Sequence, residues 1–143
     1  MSYMFYYCNS LTNIDLSNSN TKNVTDISYM FYVCWSLNNI NLQNFNTQNV
    51  SNMDSMFCDC YDLKIIDISS FNTKNITNMS QMFSGISSTN INLSSFNTQK
   101  VNNMYSMFYK CHALKSLDLS NFNTENVINM NQMFYECKIF KKY

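Results

Sequence analysis

Six cysteines and one histidine are the residues of this chain best suited to chemistry. Cys8, Cys34, Cys60, Cys111 and Cys137 fall at one recurring position, and Cys58 stands outside that series. Thiolates bind zinc, but structural zinc ligands come in closely spaced pairs, and Cys58-x-Cys60 is the only such pair here. If successive copies stack, Cys8 comes within disulfide range of Cys34. Their side-chain vectors would then run parallel, which disfavours a bridge. Buried thiols are expected. His112 follows Cys111 directly, and adjacent residues on a helix do not face one another, so a thiol–imidazole dyad is not expected. The chain has no glycine-rich phosphate loop and no nucleophile elbow. No catalytic residue, no metal site and no cofactor are expected.

The acidic residues form a second pattern. Asp15, Asp67 and Asp118 alternate with Asn41 and Asn92, one position per copy. Lys22, Gln48, Lys74, Gln99 and Glu125 alternate in the same way. Rungs of a stacked chain lie about 5 Å apart, so alternation keeps like charges about 10 Å apart, near the screening length. The acidic column reads either as a ligand face with a weak cation site or as a solvated hydrogen-bonded ladder. Nine lysines balance nine acidic residues, and arginine is absent. Nucleic-acid binding, which wants a basic face, is not expected. No stretch approaches the roughly 20 apolar residues of a membrane-spanning helix, so no membrane insertion by this segment is expected. The first residues lack the basic and apolar regions of a signal peptide.

These residues are carried by a repeat. Met-Phe pairs begin at Met4, Met30, Met56, Met82, Met107 and Met133, a period of 26 residues with one step of 25. A fixed period of this size marks a solenoid. Each copy holds an LxxLxL segment, such as Leu11/Ile14/Leu16 or Leu37/Ile40/Leu42, whose period-two ending predicts a short strand near 14–16. It also holds Val24, Ile27, Met30, Phe31 and Cys34, whose steps of three and four predict a short α- or 3₁₀-helix near 23–34, repeated thereafter. Asn-Thr-x-Asn before that run offers capping side chains. The expected class is α/β: a parallel strand plus a short helix in each 26-residue turn. Columns of Phe45/Phe71/Phe96/Phe122, of Ile14/Ile40/Ile66/Ile91/Leu117 and of methionines would fill the core. Proline is absent and Gly85 is the only glycine. Asparagine is the expected residue wherever a turn needs positive φ.

The run Leu114-Lys115-Ser116-Leu117-Asp118-Leu119-Ser120-Asn121-Phe122-Asn123-Thr124-Glu125-Asn126-Val127, followed by Asn129-Met130 and Met133-Phe134-Tyr135-Glu136-Cys137, resembles the 26-residue repeat of the BspA-like leucine-rich-repeat surface proteins. The resemblance covers essentially the whole chain. It implies a leucine-rich-repeat solenoid, a cell-surface or secreted setting, and adhesion or binding of a protein or glycan without catalysis. Phe45, Phe71, Phe96 and Phe122 depart from the general pattern, standing where Asn or Cys normally hydrogen-bonds the turn. Asn46, Asn72, Asn97 and Asn123 are the expected replacements.

The concave sheet face is the expected binding surface: Asn13, Asp15, Ser17, Asn39, Asn41, Gln43, Asp67, Ser69, Asn90, Asn92, Ser94, Ser116, Asp118 and Ser120. It is small, polar and nearly uncharged, suited to hydrogen bonding and not to deep apolar binding. Tyr6, Tyr32, Tyr109 and Tyr135, with Trp35 and Tyr61, form a second aromatic ridge, expected to be partly buried between turns. Residues 1–143 read as one repeat domain of about five full turns with partial turns at both ends. The expectation is a slice of a longer array; uncapped ends would otherwise associate end to end. A structural spacer or self-associating role is the competing reading.

Overall fold

The computed structural model describes residues 1–138, which coil as a solenoid. Two short strands, β1 (Asn13–Asp15) and β2 (Asn39–Asn41), pair in parallel with Ile14 opposite Ile40. The LxxLxL wall thus begins as predicted. Further along, this wall is barely laddered. Asn90 bridges Ser116, but residues 64–68 make no inter-turn backbone hydrogen bond. Phe140–Tyr143, in the partial turn expected at that end, lies outside the described residues.

The expected helix near 23–34 is not formed. This segment and its copies run as successive tight turns. In the third copy, Met56 N–H bonds back to the Met53 carbonyl, and Cys60 N–H to that of Phe57. The third residue of each turn, Ser55 or Asp59, has φ of 54° or 59°. That left-handed residue flips the peptide planes. Alternate N–H groups then point along the coil axis: Met53, Ser55, Phe57 and Asp59 donate to Asn78, Ser80, Met82 and Ser84 at 2.8–3.1 Å. The same ladder joins Met79, Gln81, Phe83 and Gly85 to the following turn. Bridges Asp26–Asn52, Asn52–Asn78, Asn78–Asn103 and Asn103–Asn129 run through it.

The positive-φ residues also correct the sequence reading. Among the described residues, twelve non-glycine residues have positive φ, and only Asn44 of these is asparagine. Asparagines turn the chain in another way, by accepting the N–H two residues on, the Asx-turn geometry. Each copy has three such corners. Asn41 accepts from Gln43, Asn46 from Gln48, and Asn52 from Asp54.

Inside, the columns form. Met30, Met56, Met82 and Met107 are fully buried, as are Phe31, Phe57, Phe83 and Phe108. The phenylalanine rings stack from Phe5 to Phe134 with centroids 5.3–6.2 Å apart. Phe45, Phe71 and Phe96 are buried too, and Phe122, the last of that column, is half-buried. The expected asparagine ladder beside them is a threonine ladder. The Thr47 hydroxyl donates to the Asn72 carbonyl at 3.0 Å and accepts from the Asn72 N–H at 2.8 Å. Thr21, Thr73 and Thr98 repeat this exchange. Asn46, Asn72, Asn97 and Asn123 thus supply backbone groups to the ladder, while their side chains cap corners.

Candidate functional site

The fourteen polar residues expected to bind lie along the LxxLxL wall. Asn13 and Asp15 sit in β1, and Asn39 and Asn41 in β2. Ser17 and Asn41 are half-buried and the other twelve are exposed. They share a wall, but the sheet meant to carry them is interrupted after β2. Two open grooves cross it. One, of about 700 Å³, is lined by Asn38, Asn39, Ile40, Asp62, Lys64, Ile65 and Asp67. The other, of about 510 Å³, is lined by Asn90–Ser94, Asp118, Ser120 and Asn121. The sequence reading overlooked Lys64 and Ile65. Ile65 is 82% exposed, one residue from the inward Ile66, and the doubled isoleucine was its only signal.

The acidic column has a local task. Asp15, Asp67 and Asp118 accept hydrogen bonds from the N–H of Ser17, Ser69 and Ser120 at 2.8–3.0 Å. These serine contacts hold all three carboxyls below the ordinary value of 3.8. Asn41 and Asn92 cap Gln43 and Ser94 in the same way. The carboxylate of one turn and the carboxamide of the next are therefore interchangeable at this corner. Among the described residues, no group of His, Cys, Asp and Glu is arranged to hold a metal ion.

The recurrent cysteines point at carbonyls of the preceding turn, and Cys111 and Cys137 also interact with each other. Cys34, Cys60 and Cys111 donate to Phe5, Phe31 and Phe83 of the preceding turn at 3.0–3.1 Å. All six cysteines are free thiols. Burial pushes Cys34 up to about 11 and Cys58 to about 12, from 9.0. Such thiols are poor nucleophiles at neutral pH. Cys111 is buried while His112 is exposed, so the two side chains lie on different sides of the wall. His112 Nδ1 lies 3.1 Å from the Glu136 carbonyl oxygen.

The aromatic ridge is real but broken. Tyr6 stacks on Tyr32 at 5.2 Å, Trp35 on Tyr61 at 6.4 Å, and Tyr109 on Tyr135 at 5.3 Å. Tyr32 and Tyr109 are half-buried, whereas Tyr6, Trp35, Tyr61 and Tyr135 are exposed.

Comparison with known proteins agrees with the repeat. A family model described as "Mycoplasma protein of unknown function, DUF285" matches residues 1–66 and again 60–143. No curated protein matches the chain. The fold is similar to that of a leucine-rich repeat protein from Bacteroides ovatus ATCC 8483, with a TM-score of 0.57 and 21% identity. That match covers 83% of this chain and 28% of the other. A leucine-rich cell surface protein from Faecalibacterium prausnitzii A2-165 matches with a TM-score of 0.45 and 22% identity, over 81% of this chain and 35% of that one. The chain thus spans a small part of the length of either protein. The Bacteroides likeness shows the fold, a leucine-rich-repeat solenoid.

Proposed function

The chain belongs to the DUF285 family, and from that premise we propose that it is a non-catalytic repeat module. It binds a protein or glycan through the polar LxxLxL wall, in a cell-surface or secreted setting. The observation that carries the reading is that wall itself. Twelve of the fourteen polar residues singled out there are exposed, and two grooves open among them. Asn, Ser and Gln side chains without a local partner on such a surface are ready donors and acceptors. The surface setting rests on the resemblance of the 26-residue repeat.

The test is binding of the purified chain to immobilised extracellular-matrix proteins and a glycan array. The native chain retains at least one ligand. Asp67→Lys with Asn92→Lys loses it without a change in melting temperature. No ligand, or equal binding by the variant, removes the reading.

A second reading, a self-associating spacer, is favoured by apolar surface on the outermost described turns. Tyr3, Met4 and Tyr7 are 52–55% exposed at one end, and Ile128 is 88% exposed at the other. Sedimentation velocity over a concentration series decides it. Sedimentation coefficients that rise with concentration in the native chain and not in Met4→Lys with Ile128→Lys support association, and a concentration-independent monomer removes it.

A further inference from the structure

The fourth turn breaks the aromatic ridge and leaves a slot. Five residues after each Met-Phe methionine, the ridge position reads Asn9, Trp35, Tyr61, Ser87, His112 and Lys138. Ser87 contributes no ring between Tyr61 and His112. Trp35 and Tyr61, adjacent rings at this position, are 6.4 Å apart, so omission of one rung opens space for one inserted ring. Three residues after the same methionines, the position reads Tyr7, Val33, Asp59, Gly85, Lys110 and Glu136. Gly85 brings no side chain to the floor of the slot, and the Asp59 carboxylate and the Tyr61 ring edge lie over it instead. The slot is a cavity of about 260 Å³ drawn from three successive turns. That is below the roughly 300–1,000 Å³ of sites for drug-sized ligands.

The backbone is intact beneath it. Asp59 N–H bonds to Ser84 and Gly85 N–H to Tyr109, at 2.8 and 2.7 Å. The slot is therefore a gap in side chains on a continuous ladder, not a local opening of the coil. Nor is the floor free to fill. A Cβ at position 85 would collide with the Asp59 carboxylate and sit 3.2 Å from Tyr61 Cε1.

We propose that this slot between Tyr61 and His112 binds a single neutral sugar ring. Tyr61 lines the slot, and the negative π face of such a ring attracts the weakly positive C–H face of a pyranose. Around the edge stand Asp59, a hydrogen-bond acceptor whose carboxylate lies over Gly85, and Lys110, a donor whose ammonium lies over the Tyr109 ring. Hydroxyl groups satisfy both kinds at once. A plain hydrocarbon ring would strip water from both charges and replace none of its hydrogen bonds. The opposite charges of Asp59 and Lys110 balance, so neither an anion nor a cation is favoured. This site lies off the polar LxxLxL wall and stands or falls separately from the reading above.

Composition supplies a clean probe, because Gly85 is the only glycine. A chain labelled with ¹⁵N-glycine gives one amide signal, at the floor of the slot. Methyl glucoside, methyl galactoside, methyl mannoside and methyl N-acetylglucosaminide are titrated in turn. At least one is expected to shift the signal saturably at millimolar concentration. Ser87→Trp restores the missing ridge residue, which Trp35 shows the coil accommodates, and is expected to abolish the shift. Asp59→Asn keeps the shape and removes the charge, and weakens binding roughly tenfold. No shift with any glycoside, or an equal shift in Ser87→Trp, overturns the proposal. So does a shift produced by p-cresol or 3-methylindole, the ring groups of tyrosine and tryptophan, when no glycoside produces one.

Discussion

Thr73 shows how much of this coil rests on single polar atoms. Its hydroxyl donates to the Asn97 carbonyl at 2.9 Å and accepts from the Asn97 N–H at 2.7 Å, in a site 1% exposed. Thr73→Val keeps the shape and strands both backbone groups. It is expected to cost about 1–3 kcal/mol, whereas Thr73→Ser should cost much less. Urea unfolding of the pair checks this. Gly85 makes the opposite point, since there the absence of a side chain is what fits. Gly85→Ala meets both a left-handed backbone, φ 72°, and the Asp59 carboxylate. A loss of about 1–3 kcal/mol is expected from the strained backbone alone. Adding Asp59→Ala should recover the steric part, read as a coupling in a double-mutant cycle. The repeated Asn-Thr dipeptides put the threonine ladder in plain view in the sequence. Its role was not legible, because the partner of each threonine is a backbone group one turn away.

At the scale of the element, the two walls of the coil are held differently. Phe57, Phe83 and Phe108 donate their N–H groups to the next turn, whereas residues 64–68 make no such bond. Protection against hydrogen exchange follows the free energy of local opening. The amides of Phe57, Phe83 and Phe108 are expected to exchange slowly, and those of residues 64–68 fast. Residue-resolved exchange by NMR decides it, and uniform protection would contradict the two-wall picture. The irregular fourth turn, one residue shorter than the others, keeps its ladder through Gly85. Its shortening is absorbed at Ser88, which is buried and donates to the Asn90 carbonyl at 2.7 Å. The strands of the first two copies were legible from the period-two pattern, and the absence of strands in the later copies, among the described residues, was not.

For the whole molecule, stability should narrow at both ends of the pH scale. Asp15, Asp67 and Asp118 titrate below 3.8 in the folded chain. Their serine hydrogen bonds therefore contribute fully above that value, and the contribution is lost as pH falls through the folded value. The triple variant Asp15→Asn, Asp67→Asn, Asp118→Asn is expected to lose less melting temperature on acidification than the native chain. Asn41 and Asn92 already fill the same corner in other turns. At the alkaline end the shift is upward. Cys34 and Cys58 stay protonated to about 11 and 12, so folding loses stability as pH rises above 9.0. Melting curves across the range, with Cys58→Ser as the control, test the second limb.

The amino-acid sequence by itself determined the period, the inward columns and the polar wall. All of these follow from which residues recur at 26-residue spacing. What only the tertiary structure decided is the course of the backbone between Val24 and Cys34 and its copies. A helix and a chain of tight turns bring apolar residues three and four apart to the same side, so Met53, Met56, Phe57 and Cys60 satisfy either. The difference lies in the peptide planes. A helix bonds its N–H groups back to itself, and a left-handed third residue turns half of them toward the neighbouring turn. No residue type announces that choice here, because serine, aspartate, glutamine, lysine and valine all adopt the left-handed conformation. The neighbouring turn, waiting with its carbonyls one rung away, makes the choice.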